Sequence, residues 1–240
     1  MRRLGALLIL AAVPTILIVG PRAGGQTSAT EEGRELFATG CASCHGVTGE
    51  GTANGPPLAG VGPASVDFML STGRMPLGDP TQQPTRQSPK YTADQIDGLV
   101  EYVASLGPGG EPIPSVDPEA GDLMLGRDLY SSGCLACHGA GGQGASVGGG
   151  QLAPALDRAS PEQVAEAVRV GPGAMPPFAE GLIDQQELDS LVRYVLELRE
   201  QPDRGGLDLG RVGPVTEGFV AWVVGLGILV LVIRLTGTRT

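Results

Sequence analysis

Two long stretches of the chain carry apolar residues at the spacing of a helix that buries one face. Each stretch follows a residue suited to begin a helix, Thr92 in the first case and Asp184 in the second, with Gln95 and Glu187 three positions later as partners in a capping box. The two apolar stripes are Ile96, Leu99, Val100, Val103 and Leu106, and Leu188, Leu191, Val192, Val195 and Leu198. These patterns predict two amphipathic helices of matching design.

A shorter helix is expected upstream of each of these two stretches. Ser28 with Glu31 resembles a capping box, and Asp117 followed by Pro118 is a candidate start for the second helix. The apolar face of these short helices is carried by Leu36 and Phe37, and by Leu129 and Tyr130. In each half, the first and last helices are expected to cross and bury their apolar faces against each other.

The chain contains an internal repeat. A shift of 93 residues, the separation of Cys41 and Cys134, superposes residues 33–41 on residues 126–134 with a closely similar sequence. Such similarity at a fixed offset is the mark of two copies of one domain. We therefore predict two tandem domains, residues 31–106 and 117–200, joined by a linker at 107–116 that is rich in glycine and proline.

Apolar runs lie at both ends of the chain. Residues 1–25 combine a basic start with an apolar centre, as in a signal sequence or an N-terminal anchor. Residues 214–235 are long and apolar enough for a transmembrane helix, and residues 201–213 link it to the second domain. Arg234 and Arg239 follow without an acidic residue, so the C-terminus is expected in the cytoplasm and the domains outside it.

The two predicted domains are acidic. The chain has a net charge of −10, and the only acidic residues outside positions 31–206 are Asp208 and Glu217. This charge disfavours nucleic acid as a partner and is compatible with a soluble body or with docking of a basic redox protein.

Every cysteine and histidine of the chain lies in two copies of the sequence Cys-x-x-Cys-His, at residues 41–45 and 134–138. Two thiols at this spacing can add to the two vinyl groups of one haem, and the adjacent imidazole can then bind the iron. The pattern predicts two covalently attached haem c groups.

Other interpretations of these motifs remain open at the level of sequence. A Cys-x-x-Cys pair can form a structural disulfide or a thioredoxin-like redox centre, and four cysteines can bind zinc. None of these requires a histidine directly after the second cysteine. The glycine-rich residues 141–150 lack the lysine of a phosphate-binding loop and are expected to form an ordinary loop.

Methionine is the best candidate for the second axial ligand of each iron. With both histidines used on one face, the alternatives are lysine, water or an open position. Met75 and Met175 each precede a proline and lie between a haem motif and a closing helix, so we expect them to bind iron. Met69 and Met124 fall within helical patterns and are expected to pack in the core.

Two prolines are expected to orient the histidines. The carbonyl groups of Pro56 and Pro154 could each accept the second ring N–H of the preceding motif's histidine. Iron closed on both faces in this way exchanges single electrons and has no site for a substrate.

Each repeat resembles a class I cytochrome c domain, over residues 31–106 and 120–199. With its apolar start and single C-terminal apolar helix, the whole chain resembles the dihaem cytochrome c subunit of actinobacterial cytochrome bcc complexes. The fold this implies is all-α, with two tandem cytochrome c-like haem domains and a C-terminal transmembrane helix. The chain departs from the pattern in a long, proline-rich loop from Ser71 to Pro89 around Met75.

The resemblance also implies a function and partners. Subunits of this family pass electrons from a Rieske iron–sulfur centre toward a terminal haem–copper oxidase, within a menaquinol–cytochrome c reductase that also contains cytochrome b. The isolated chain is then an electron carrier without substrate turnover. The implied binding residues are Cys41, Cys44, His45 and Met75 for one haem, and Cys134, Cys137, His138 and Met175 for the other.

Three other functions compete with this one. The chain could serve another membrane dehydrogenase or oxidase as its cytochrome c subunit. A dihaem peroxidase would need an open position on one iron and usually supplies extra histidines. A haem-based ligand sensor would bind carbon monoxide tightly in its reduced form.

Overall fold

The computed structural model describes residues 29–200 and 214–237. Over these residues the chain is mostly helical, and its elements in chain order are α1 Ala29–Gly40, α2 Ala42–His45, α3 Pro63–Ser71, α4 Ala93–Ser105, α5 Leu123–Gly133, α6 Leu135–His138, β1 Ala145–Gly148, β2 Gln151–Ala153, α7 Pro161–Val170, α8 Gln185–Glu200 and α9 Pro214–Thr236. The predicted signal sequence or anchor at 1–25, the cap at Ser28 and the linker at 201–213 lie outside the described residues.

The expected crossing of first and last helices is confirmed in both domains. Helix α1 packs on α4, and α5 packs on α8. The predicted apolar stripes of α4 and α8 are buried, except for the half-buried Leu106 directly after α4. Phe37 and Tyr130 are also buried, each only 1 % exposed. In the first domain Phe37 stacks on Tyr102 with ring centroids 5.1 Å apart, and in the second Tyr130 stacks on Tyr194 at 5.4 Å. The two repeats therefore contain an equivalent pair of packed aromatic side chains in their cores.

Glycine allows these helix pairs to approach closely. A Cβ atom added at Gly33 in α1 would lie 1.9 Å from the carbonyl oxygen of Gly98 in α4. A Cβ atom added at Gly126 in α5 would lie 1.9 Å from the carbonyl oxygen of Ser190 in α8. Backbone meets backbone at both crossings, so no larger residue fits without separating the helices.

The predicted starts of the closing helices are confirmed. Thr92 and Gln95 form a reciprocal capping box at α4. At α8, the backbone N–H of Asp184 donates to the Glu187 carboxylate at 2.8 Å, and the Glu187 N–H donates to Asp184 Oδ1 at 2.9 Å. Side-chain oxygens thus satisfy amides that the helix itself leaves unpaired.

The predicted start at Asp117 and Pro118 is wrong. Helix α5 begins at Leu123, and its N-cap is Asp122, whose carboxylate accepts hydrogen bonds from the N–H groups of Met124 and Leu125. Asp117 instead begins a turn, in which its carbonyl accepts from the Ala120 N–H at 3.1 Å. Asp122 is the N-cap because its carboxylate accepts hydrogen bonds from two helix amides that would otherwise be unpaired.

The glycine-rich stretch is not entirely a loop. Strands β1 and β2 pair antiparallel, with Ala145 opposite Ala153. Gly148, Gly149 and Gly150 all have positive φ, which lets the chain reverse between the strands at no steric cost. The second domain therefore carries a small hairpin beside its haem motif.

The two domains are joined through the loop from Ser71 to Pro89, here called the bridging loop. The side-chain amide of Gln83 donates to the carbonyl of Leu152 in β2 at 2.9 Å and accepts from its N–H at 3.0 Å. Gln163 in α7 donates to Ser71 Oγ at 3.1 Å and accepts a hydrogen bond from Arg86. Helices α3 and α7 pack against each other beside these contacts.

Glu166 of α7 is fully buried, and neither of its carboxylate oxygens has a hydrogen-bond partner. Burial, followed by the neighbouring carboxyl of Asp67 in α3, raises its pKa to about 9. The group is therefore protonated in the folded protein near neutral pH, whereas an unfolded chain would ionise it.

Replacing Glu166 with glutamine is expected to make the protein less sensitive to pH. Because the pKa of Glu166 is raised on folding, the contribution of this group to wild-type stability should be fully present below pH 4.5 and be lost as pH rises toward about 9. The slope is at most about 1.4 kcal/mol per pH unit. Denaturant unfolding followed by circular dichroism should show this slope reduced in Glu166→Gln and retained in the exposed control Glu180→Gln. An unchanged slope in Glu166→Gln would contradict the assignment.

Helix α9 matches the predicted C-terminal span. Residues Gly218–Thr236 have a mean hydropathy of 2.4, and none of that segment is buried by the rest of the described chain. Its 23 residues would extend about 34 Å at 1.5 Å per residue, which exceeds the ~30 Å hydrocarbon core of a bilayer. Within the described ranges it is the one helix long and apolar enough to cross a membrane.

Candidate functional site

The first Cys-x-x-Cys-His motif forms a single turn of backbone directly after α1. The N–H groups of Cys44 and His45 both donate to the carbonyl of Cys41, at 3.1 and 2.9 Å. Two thiols and one imidazole are thereby presented from one short helix, α2, and its N-cap residue Cys41. This is the local geometry that a single haem needs for two thioether bonds and one iron ligand.

The histidine of this motif is held in place by the predicted contact. His45 Nδ1 lies 2.8 Å from the carbonyl oxygen of Pro56. Since a carbonyl can only accept, Nδ1 carries the proton and Nε2 is left as the atom available to iron. The turn that brings Pro56 here is tied to the motif by the Gly51 N–H, which donates to the His45 carbonyl at 2.6 Å.

The second motif repeats this arrangement. The N–H of His138 donates to the carbonyl of Cys134 at 2.9 Å, and His138 Nδ1 lies 3.0 Å from the carbonyl oxygen of Pro154. The buried hydroxyl of Tyr130 donates to the Gly139 carbonyl at 2.6 Å, which fixes the end of the motif to α5. Both proline contacts expected from the sequence are thus present.

Burial shifts the pKa of three motif side chains in the direction that favours their neutral forms. It raises the pKa of the Cys134 thiol to about 11 and the pKa of the Cys41 thiol in the same direction. It lowers the pKa of His138, which favours the neutral imidazole that a metal requires. The raised pKa values of Cys41 and Cys134 disfavour a reactive thiolate at these two positions.

Among the described residues no disulfide joins any two of the four cysteines. In the ranges 29–200 and 214–237 no group of three or more His, Cys, Asp or Glu side chains is arranged to hold a metal ion.

A large cavity lies in front of the second motif. It has a volume of about 880 Å³ and a mostly apolar lining, and it brings together Cys134, Cys137, His138 and Met175. These are the four residues predicted for the second haem. The fold therefore places two thiols, an imidazole and a thioether around one space of the size used by large cofactors.

In the first domain two of the four predicted residues lie against the core. Met75 and Cys41 both pack against the apolar cluster that contains Phe37, Leu70 and Leu99. Of the two methionines expected to be packing residues, Met69 lies in α3 and lines the cavity of the second motif, whereas Met124 is 54 % exposed. The expectation of core packing is wrong for Met124.

The sequence did not predict that the first domain also lines the second cavity. Met69 in α3, and Arg74, Gln83 and Arg86 in the bridging loop, form part of its wall. The length of the bridging loop was visible in the sequence as a departure from the repeat. The contribution of this loop to the second cavity could not be predicted, because contacts between domains leave no periodic pattern in the sequence.

Two protein-family models match the chain. The model described as "Cytochrome c" matches residues 30–107. The model described as "Cytochrome C oxidase, cbb3-type, subunit III" matches residues 121–195. One haem motif falls within each match.

Several known proteins are similar over much of their length. The cytochrome bc1 complex cytochrome c subunit of Corynebacterium diphtheriae is 31 % identical over 227 residues, which covers 88 % of this chain and 81 % of that protein. The subunit of the same description from Mycobacterium leprae is 35 % identical over 204 residues, covering 81 % and 70 %. The cbb3-type cytochrome c oxidase subunit CcoP of Azospirillum sp. is 32 % identical over 188 residues, covering 69 % and 61 %.

Proposed function

The chain belongs to the family of cytochrome c subunits of the cytochrome bc1 complex, and on this premise we propose that it is the dihaem electron-transfer subunit of a quinol–cytochrome c reductase. It passes electrons from a Rieske iron–sulfur centre toward a terminal haem–copper oxidase. The complex is an oxidoreductase, and this chain is its electron carrier.

One observation carries the proposal. Each of the two Cys-x-x-Cys-His turns holds its histidine by Nδ1 against a proline carbonyl, at 2.8 Å for His45 and 3.0 Å for His138. Such a contact fixes the ring and leaves Nε2 for a metal. Its occurrence twice, at equivalent places in a duplicated fold, favours two haem sites of one design.

The residues of the second cavity fit a haem. The porphyrin is large, flat and apolar, and the cavity of about 880 Å³ is lined largely by apolar side chains such as Val164, Val168 and Leu191. The reactive groups stand where covalent attachment requires them, on a turn at the cavity wall. Apolar lining also excludes water, which supports a high reduction potential.

Each side chain has a defined task in this proposal. The thiols of Cys41 and Cys44, and of Cys134 and Cys137, would hold the two haems as thioethers. His45 and Met75 would supply the side-chain ligands of the first iron, and His138 and Met175 those of the second. When bound, haem with this ligation supplies reversible one-electron transfer and has no open position for peroxide or oxygen. The set gives no support to a peroxidase or a ligand sensor.

Helix α9 anchors the two domains at the membrane. Its exposed apolar surface includes Phe219 and Trp222, each 68 % exposed, and it ends near Arg234. The positive charges at this end favour a cytoplasmic C-terminus. The haem domains then lie on the extracytoplasmic side, near the cytochrome b and Rieske subunits.

A second candidate function has a specific observation in its favour. The match of the second domain to the cbb3-type subunit III model, together with the likeness to CcoP, supports a role as the cytochrome c subunit of a haem–copper oxidase. The bc1 assignment is preferred because the relatives with that description cover more of this chain and are themselves more fully covered.

Purification of the chain from its native membrane in mild detergent tests the assignment. We expect the chain to carry two covalent haems, to co-purify with cytochrome b and a Rieske protein, and to be reduced when quinol is added. A variant truncated before Pro214 should no longer co-purify with the assembly. Recovery with only the catalytic subunit of an oxidase would support the second candidate and overturn the first.

A further inference from the structure

The cavity of the second haem motif is closed on one side by the first domain. Phe68 and Met69 of α3 and Arg74, Gln83 and Arg86 of the bridging loop contribute to its lining. The loop is fastened there by the paired hydrogen bonds between Gln83 and Leu152. Its position is therefore set by contacts with the second domain, although its sequence belongs to the first.

Arg74 is buried in this wall without a complete set of partners. The residue is only 9 % exposed, and its Nη1 atom has no hydrogen-bond partner. The guanidinium lies over the ring of Phe68, with Cζ 4.8 Å from the ring centroid. Aromatic stacking of this kind positions the group but does not saturate its five donors.

The guanidinium of Arg169, which is also buried, does have hydrogen-bond partners. Arg169 is equally buried, at 7 % exposed, but its Nη1 donates to the carbonyls of Phe178 and Ile183 at 3.0 and 2.7 Å. Buried donors are normally satisfied in this manner, because an unpaired charge in an apolar interior is costly. The open donor of Arg74 therefore points to a missing acceptor.

A second guanidinium, that of Arg86, also lines this cavity. The Arg86 side chain is half-buried and donates a hydrogen bond to the side-chain oxygen of Gln163 in α7. Ion pairs among the described residues join Arg34 to Glu31 and Arg127 to Asp128, and neither Arg74 nor Arg86 takes part in one.

We propose that Arg74 and Arg86 of the first domain bind the propionate carboxylates of the haem held by the second domain. This rests on the proposed haem at Cys134 and Cys137. A haem carries two carboxylates on an otherwise apolar ring, which matches an apolar cavity with two guanidinium groups in its wall. Arginine is also the side chain best suited to paired contacts with a carboxylate.

The two arginines then help to set the potential of the second haem. Reduction adds an electron to the haem, so a fixed positive charge nearby favours the reduced form. Arg74 also directly precedes Met75, the proposed ligand of the first iron. A single stretch of backbone therefore contacts both haem sites, and its conformation links them.

The full-length holoprotein provides the test. In a potentiometric titration followed by haem absorbance, the second haem is identified as the step that moves in Met175→Ala. Arg74→Gln and Arg86→Gln are each expected to lower the midpoint of that step. A tenfold change in the redox equilibrium would appear as about 59 mV for one electron. Arg74→Lys, which keeps the charge, should recover most of the shift.

Arg127→Gln is the matched control. It removes an exposed positive charge from α5, in the domain that holds the second haem motif, at a position that does not line the cavity. It should leave both midpoints unchanged. If Arg74→Gln does not fold, the half-buried Arg86→Gln carries the test alone. Wild-type midpoints in Arg86→Gln and in every folded Arg74 variant, with two haems bound per chain, would overturn the proposal. An equal shift in the Arg127 variant would also overturn it, whereas a wild-type chain lacking the second haem would instead refute the proposed function.

Discussion

Replacing Gly126 with valine is expected to prevent the second domain from folding. The added Cβ would lie 1.9 Å from the carbonyl oxygen of Ser190 and 2.9 Å from Cβ of Tyr194. The first of these is backbone, so relief requires α5 to move away from α8 and would expose the core around Tyr130. We expect a loss of more than roughly 4 kcal/mol, which is exceptional for one substitution and a large share of the stability of a typical domain.

Ser131→Val is the matched control for this prediction. It places the same β-branched residue in the same helix, but at an exposed position, and should cost less than about 1 kcal/mol. Haem content per chain and far-ultraviolet circular dichroism would separate the two variants. Gly33→Val should have the same effect on the first domain, where the clash is with the Gly98 carbonyl. A Gly126→Val protein with two haems and normal melting would show that the helices do not cross as described.

Replacing Met175 with alanine is expected to remove the sulfur ligand from the second iron. The potential of that haem should then fall by on the order of a hundred millivolts, a fraction of the roughly 0.8 V over which axial ligands set haem potentials. The methionine–iron charge-transfer band of the ferric form should lose about half its intensity. Met75→Ala should do the same at the first haem, and the double variant should abolish the band.

Met124→Ala is the control for these changes, because that methionine is also in the second domain but is 54 % exposed and outside the cavity. Its spectrum and midpoints should match the wild type. Open coordination positions in Met175→Ala should also allow carbon monoxide to bind the reduced second haem. If both methionine variants kept the wild-type band and potentials, methionine ligation would be wrong and the electron-carrier proposal would lose its chemical basis.

Much of the fold was predictable because the informative signals are local. The capping pairs at Thr92 and Asp184 and the apolar stripes behind them each involve residues within a few turns of one helix, and all are found as expected. The contacts of His45 and His138 with proline carbonyls were predictable for a related reason. A covalent haem motif constrains what the next turn of backbone must do.

The features that the sequence did not reveal depend on contacts between distant residues or on competition between neighbours. Asp117 and Asp122 are both good helix caps by residue type, and only the packing of the whole turn selects Asp122. Glu166 looks like an ordinary residue of an amphipathic helix until α3 covers it. Arg74 likewise becomes notable only when the second domain encloses it.

Because of the bridging loop, the two domains cannot be separated at the linker without changing the second domain's cavity. A fragment that started after residue 107 would lack Arg74, Gln83 and Arg86 from the wall of its own cavity, and that side of the cavity would be open to water. Stabilities measured on the separated halves would therefore not add up to that of the intact molecule. The first domain forms part of the wall of the second domain's cavity, so the two domains should be engineered as one unit.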